Sequence, residues 1–339
     1  MRILICGLGS IGRRHLRNLV LLGVEDLFLL RSGKSTLPDE GISDFPQERD
    51  LEKALERWEP DAVIISNPTS LHMEVALPAA EDGCHIFLEK PVSHSMEGLD
   101  VLEETLLHTG KQALVGFQFR YHPGLKQVKR LIQEGAIGDV IGVRVNWGEY
   151  LPDWHPWEDY RLSYSARRDL GGGVVLTLCH PFDYLRWLVG DIIEVTAELN
   201  TSAALELDVE DSAEIILRFE SGVLGNVHLD YLTRPPNHCL EIVGTQGTLH
   251  WGNEDGGVRW WSTSTDAWLT ITAPVGFERN HLFLDEMRHF LGVMAGEESP
   301  ICTLKDGIRT LQIVLAAQQS SLKGHRIPLP ISESRLENH

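Results

Sequence analysis

Long apolar runs are missing from the 339 residues, and none reaches the length of a bilayer-spanning helix. Basic charge is short as well. Against 49 Asp and Glu stand 30 Lys and Arg, a formal net charge of -19, which argues against nucleic acid and against membrane surfaces as partners. Local arginines can still receive a phosphorylated ligand. Cysteine is sparse: Cys6, Cys84, Cys179, Cys239 and Cys302 are an odd five, widely scattered and without a C-x-x-C pair. Neither a disulfide frame nor a zinc site is expected, and a reducing cytoplasm is the expected home. A strand predicted from residue 2 leaves no place for a basic-then-apolar leader. Internal repeats and low-complexity segments are absent. What the chain does have is 42% hydrophobic residues and a length that suits two domains.

The stretch MRILICGLGSIGRRHLRNLVLLG organises the rest. An apolar, β-prone run at 2–6 leads into Gly7, Leu8, Gly9, Ser10, Ile11 and Gly12, and a helix is predicted over 13–22. This is G-x-G-x-x-G between a strand and a helix. Gly7 permits the tight turn, Gly9 lets backbone approach a diphosphate, and Gly12 lets helix and strand pack closely. The free N–H groups at the helix start would receive the diphosphate. The second strand, 26–30, ends at Arg31 and Ser32, where an NAD-binding fold usually carries Asp or Glu for the ribose hydroxyls. An arginine there suits a 2′-phosphate, helped by Arg13 and Lys34. NADP(H) is therefore the favoured cofactor, with NAD(H) the alternative.

Strands at 62–66, 85–88 and 113–117 alternate with helices near 50–58, 71–82 and 96–109. Residues 1–118 read as one doubly wound parallel domain. Two loops fall at strand carboxyl ends, where open α/β sheets bind ligands: Asn67, Pro68 and the residues up to His72, and then Glu89-Lys90-Pro91. Pro91 cannot continue a central strand ladder, so Lys90 is held at the sheet edge that bears Gly7–Gly12.

The pattern then changes. A helix is predicted over 125–134 and a strand over 140–147, followed by an aromatic, proline-rich loop at 151–161 whose His, Asp and Glu lack metal spacing; no metal is expected. Three glycines precede a helix at 174–189, on which Thr177, His180, Tyr184 and Trp187 form one stripe. Pro181 should kink this helix beside His180, and Asp183 could hold the imidazole. From 193 to about 271 strand follows strand, as in an antiparallel sheet. Trp251, Trp260, Trp261 and Trp268 suggest one broad face and a homodimer or homotetramer through it. Two helices, 280–295 and 304–322, close the fold, and 332–339 reads as a loose tail.

Together GLGSIG (7–12), NPTSLH (67–72), EKP (89–91), VGFQFRYHP (115–123) and GGGVVLTLCHPFD (171–183) resemble the glucose–fructose oxidoreductase / inositol dehydrogenase / MocA family of NAD(P)-dependent oxidoreductases. The likeness runs over essentially the whole chain. It implies an α/β fold: an N-terminal Rossmann domain, 1–118, and a C-terminal α+β domain, 119–331, with a large, mostly antiparallel sheet for substrate binding and oligomerisation. It implies a sugar, cyclitol or amino-sugar derivative as substrate. Lys90 matches the family's catalytic lysine and His180 its usual proton acceptor, while Thr177 stands where many members have aspartate. Asn67, Pro68, His72, Glu89 and Gln118 match the cofactor side. Arg120, Tyr121 and Asp183 match the substrate side, with Arg161 or Arg167 near the family's loop arginine.

The expected chemistry is interconversion of a secondary alcohol and a ketone. His180 would take the hydroxyl proton, Lys90 would stabilise the alkoxide, and the nicotinamide would take the hydride. Burial could instead make Lys90 the base. The lysine and the imidazole are expected to meet across the nicotinamide. Redox-neutral glycoside cleavage with retained cofactor, or a non-enzymatic NAD(P)-binding regulator, are the alternatives.

Overall fold

Ile3–Cys6 (β1) is buried at every position, the mark of a strand covered on both faces. In the computed structural model, which describes residues 1–33, 37–39 and 41–330, it is central to a six-stranded sheet. The other strands are Leu27–Leu30 (β2), Gln47–Glu48 (β3), Ala62–Ile65 (β4), His85–Glu89 (β5) and Ala113–Gly116 (β6). All pair in parallel in the order β3-β2-β1-β4-β5-β6. The order reverses between β1 and β4, so the turns leaving these two strands flank the switch point, where such sheets open a crevice. Helices Ser10–Leu21 (α1), Leu51–Trp58 (α2), His72–Glu81 (α3) and Leu99–Thr109 (α4) connect the strands. Asp50 caps α2 by accepting from Lys53 N at 3.1 Å, as an N-cap carboxylate should. The helix after the glycine turn starts at Ser10 rather than 13, so Ser10, Ile11 and Gly12 form its first turn.

The chain divides into two units. The first holds Met1–Gln118, Asp169–Gly171 and Glu278–Leu311. The last stretch was expected in the second domain. Its helix, Arg279–Met294, buries Phe283 and Phe290, and their rings reach His15 at 6.3 Å and Phe87 at 5.5 Å. Each such burial contributes about 1.5–3 kcal/mol. The entropy of closing a long chain excursion grows only logarithmically with its length, so proximity in sequence does not decide the docking.

The second unit holds Phe119–Arg168, Gly172–Phe277 and Gln312–His339, of which 331–339, including the expected tail, lie outside the described residues. It carries helix Pro123–Gln133 (α5), strand Val140–Gly148 (β7), and helices Val174–Thr177 (α6) and His180–Val189 (α7). Then follow strands Ile192–Asn200 (β8), Ser212–Phe219 (β9), Leu224–Asp230 (β10), Asn237–Gly244 (β11), Gly247–Gly252 (β12), Val258–Ser262 (β13) and Ala267–Ile271 (β14), and after the last two helices Ile327–Pro328 (β15). They form one nine-stranded sheet, antiparallel except where β7 meets β10.

Two expectations are corrected here. The helix predicted over 174–189 is broken rather than kinked, ending at Thr177 and restarting at His180. Pro181 has no N–H to donate to the Thr177 carbonyl, and the chain opens at that turn. The tryptophans do not share a face. In register, Leu249 faces Trp260 while Thr248 faces Trp261 and Trp261 faces Trp268, and side chains alternate sides along a strand. Trp251 is 1% exposed and packs inside the unit; only Trp261 and Trp268 sit together, 5.9 Å apart, on the outer side.

Candidate functional site

The first unit carries the dinucleotide features. Gly7 has φ +90, and a side chain there would strike the backbone of Ser66 and Asn67. A Cβ on Gly12 would strike the Gly7 carbonyl and the Ser66 hydroxyl, while one on Gly9 would meet nothing within 4 Å. The turn is thus closed on its inner side and open at Gly9, which is exposed with Ser10. The Arg13 N–H donates to Gly9 O at 3.1 Å; the amides before it belong to the first turn, which has no intrahelical acceptors. This cradle fits a diphosphate. Ser66, which sequence reasoning passed over, ties the turn to β4 by donating to Cys6 O (3.0 Å) and Gly7 O (2.9 Å). Its only signal was its place just ahead of Asn67.

The residues expected around a 2′-phosphate are otherwise engaged. Arg31 donates to Asp39 Oδ1 at 2.5 Å and to Gln47 at 3.1 Å, and this ion pair holds the Asp39 carboxyl below its usual range. Arg13 donates to the carbonyls of Leu8, Pro38 and Leu37. Ser32 follows Arg31 on the exposed strand end, and Lys34 lies outside the described residues. A carboxylate beside Arg31 opposes a second anion, so the preference for NADP(H) finds no support here.

Asn67 and Pro68 are half-buried at the end of β4, with Asn67 Nδ2 donating to Leu71 O at 3.0 Å. His72 is 1% exposed, its Nε2 3.0 Å from Asn67 O and its Nδ1 3.3 Å from Val92 O. Burial lowers its pKa, while the two carbonyls act against that shift, and the ring sits between the two loops. Glu89 is likewise buried, against His15 at 2.7 Å. Lys90, half-buried, leaves β5 at the carboxyl edge that bears the glycine turn, and Gln118 is buried just past β6.

In the second unit, His180 opens α7 at 3% exposure. The edge of Phe119 meets it at 5.0 Å, and Trp147 lies 5.6 Å away at a 32° tilt. Trp147 in turn stacks on His238 at 4.1 Å, and His238 Nε2 lies 3.1 Å from the Tyr184 hydroxyl. This aromatic cluster was not visible in the sequence, because its five members come from four separate elements. Thr177 is buried one break before His180 and bonds Tyr231, whose own hydroxyl reaches Ser165 O at 3.4 Å. Asp183 was expected beside the imidazole. Its carboxylate is gripped by Arg120, with Nε at 3.0 and 3.2 Å and Nη2 at 2.7 Å, and both side chains are buried. Tyr121 is buried next to Arg120. Arg161 is instead an exposed side chain paired with Asp159 on its own loop (3.0 Å) and with Glu206 between β8 and β9 (3.1 Å).

Among the described residues no group of three or more His, Cys, Asp or Glu could hold a metal, and none of the five cysteines is in a disulfide. Among them, too, no helix is long and apolar enough to cross a membrane.

Comparison with known proteins supplies the rest. Residues 1–117 match the family model described as oxidoreductase family, NAD-binding Rossmann fold. Residues 125–250 match the model of the GFO/IDH/MocA C-terminal domain. The chain is similar to the scyllo-inositol 2-dehydrogenase (NAD(+)) of Bacillus subtilis, 28% identical over 357 aligned positions covering 98% of each chain. It is similar to the myo-inositol 2-dehydrogenase of Thermotoga maritima, 26% identical over 349 positions, 94% of this chain and 96% of that one. Its fold matches a levoglucosan dehydrogenase solved with NADH, with a TM-score of 0.87, 22% identity, and coverage of 98% of this chain and 100% of that one. The glycine cradle, the switch-point loops and the mixed sheet therefore have one reading: the chain belongs to the GFO/IDH/MocA family of NAD-binding oxidoreductases.

Proposed function

We propose that this protein oxidises a secondary alcohol on a sugar or cyclitol, or reduces the matching ketone, using NAD(H). The observation that carries the reading is the shared carboxyl edge of the first unit, where a cradle for a diphosphate leaves β1 and the half-buried Lys90 leaves β5, with β4 between them. The names of the full-length relatives, inositol dehydrogenases, support the substrate class.

Residues 7–12 would hold the dinucleotide, which when bound accepts or returns the hydride. Lys90 is assigned to the reacting oxygen, where its ammonium stabilises the developing alkoxide. His180 is assigned to the carbinol proton, since an imidazole exchanges protons near neutral pH. Its ring is held by Phe119 and Trp147. Thr177, where many family members have aspartate, cannot ionise and so leaves the imidazole without that anion. NAD(H) is preferred to NADP(H) because Asp39 occupies the Arg31 guanidinium.

The assay is direct. NAD⁺ is offered with a panel of inositols, anhydrosugars and amino sugars, and absorbance at 340 nm is followed. Lys90→Ala should lose on the order of 10²–10³ in kcat, the usual cost of one oxyanion donor, and a rate within tenfold of wild type removes the assignment. Product formation without net NADH would favour redox-neutral chemistry. Parallel titrations should show tighter binding of NADH than of NADPH; the reverse order would restore the 2′-phosphate reading.

A further inference from the structure

We propose that His15 is a positioning residue for Lys90, acting through the Glu89 carboxylate. The inference rests on the role given to Lys90 above and concerns the first unit alone. Glu89 is the last residue of β5 and is 7% exposed. One of its oxygens, Oε1, lies 2.7 Å from His15 Nε2. The other, Oε2, accepts the backbone N–H of Lys90 at 3.2 Å. A single carboxylate therefore joins helix α1 to the main chain of the residue that bears the ammonium.

Neither end of this link is free to move. The His15 side chain is 0% exposed, and the edges of Phe87 and Phe283 approach its ring at 5.0 and 6.3 Å. On the far side of the carboxylate, a Cβ on Gly116 would stand 3.2 Å from its atoms, closer than ordinary van der Waals contact. Helix α1 begins in the glycine turn. The element that would receive the diphosphate and the backbone of Lys90 are thus tied by one hydrogen-bonded pair.

Stability alone does not explain a polar pair at this depth. An apolar pair of similar volume is often as stable or more so. What an apolar pair lacks is direction: it offers no acceptor to the Lys90 amide and no fixed distance between helix and strand. A displacement of about 1 Å at a reacting group can lower a rate by about 10²-fold, so a fixed distance has a chemical use.

The test is the double variant His15→Leu/Glu89→Met, set beside His15→Gln, whose amide can donate from nearly the position of Nε2. The double variant should melt within a few degrees of wild type, because no buried charge is left unpaired. Its kcat should fall by about 10–100-fold, with KM for the alcohol changing less, and amide hydrogen exchange at Lys90 should speed up in the cofactor-free protein. His15→Gln should keep the slow exchange and most of the rate. A double variant with wild-type kcat and unchanged Lys90 exchange overturns the proposal. If that variant does not fold, His15→Leu and His15→Gln with equal Lys90 exchange overturn it as well. Lys90→Ala run in parallel separates the two readings: an active Lys90→Ala removes the lysine from catalysis, whereas the exchange measurement still reports whether His15 fixes its backbone.

Discussion

Asp183→Ala is the perturbation that most sharply separates structure from substrate contact in the second unit. Arg120 and Asp183 were both expected to face substrate, yet the structure joins them by contacts of 2.7 to 3.2 Å with side-chain exposures of 4% and 1%. Removing the carboxylate leaves a guanidinium without its anion in a place water does not reach. Breaking such a pair costs about 3–5 kcal/mol, whereas replacing both partners by apolar groups is often neutral. At about 2–4 °C per kcal/mol for a unit of this size, Asp183→Ala should melt about 6–20 °C below wild type. Arg120→Met/Asp183→Leu should recover most of that loss. Urea unfolding and thermal melts of wild type and the single and double variants measure it without any substrate. A single variant within about 1 kcal/mol of wild type would refute the reasoning, because that is the worth of an exposed pair. In that case the two side chains would be available to substrate after all.

Gly12→Ala reverses a usual gain: alanine stabilises a helix interior by about 0.5–1 kcal/mol over glycine, but here the new Cβ meets the Gly7 carbonyl and, at 2.6 Å, the Ser66 hydroxyl. A loss of about 1–3 kcal/mol is expected, as for overpacking, together with weaker NADH binding by fluorescence titration; a more stable variant would show the turn to be looser than described. On the outer side of the sheet, hydrogen bonding to Asp230 (2.9 Å) raises His228 to about 9 against its partial burial, helped by Glu214 (2.7 Å). The sign follows from the raised folded pKa: the contribution is complete below about 6.5 and is lost as pH climbs through 9. Solvent screening of this half-exposed group reduces it to about 1–2 kcal/mol, so urea midpoints should fall between pH 6 and 9.5 in wild type and stay flatter in His228→Gln. His122 behaves oppositely, since burial lowers it to about 4. Its neutral ring accepts the Gly124 N–H at 3.0 Å, and stability should decline as pH drops from about 6.5 towards 4, by up to about 3 kcal/mol. His122→Asn, which keeps an acceptor for that N–H, should lose the acid slope.

Most of the first unit was legible because its signals are local. Unbroken apolar runs such as Ala62–Ile65 mark strands covered on both faces. Glycines at 7, 9 and 12 mark backbone that must turn, stay open and pack closely, and each requirement is a property of one residue and its neighbours. The strand-rich second half was legible for the same reason, from alternation and turn residues. Misreadings came where the outcome depends on partners far away in sequence. The tryptophans counted as one face were split by a register that pairing alone fixes. Arg31 read as a phosphate ligand until Asp39 and Gln47 came to occupy it.

The sequence by itself determined the elements, the dinucleotide cradle and the chemical types at the sheet's edge, because backbone sterics and hydrophobic period act over a few residues. Tertiary structure alone decided which charges are spent on one another. Arg120 with Asp183 and His15 with Glu89 lie 63 and 74 residues apart, and only folding brings such groups into a medium dry enough for their pairing to matter.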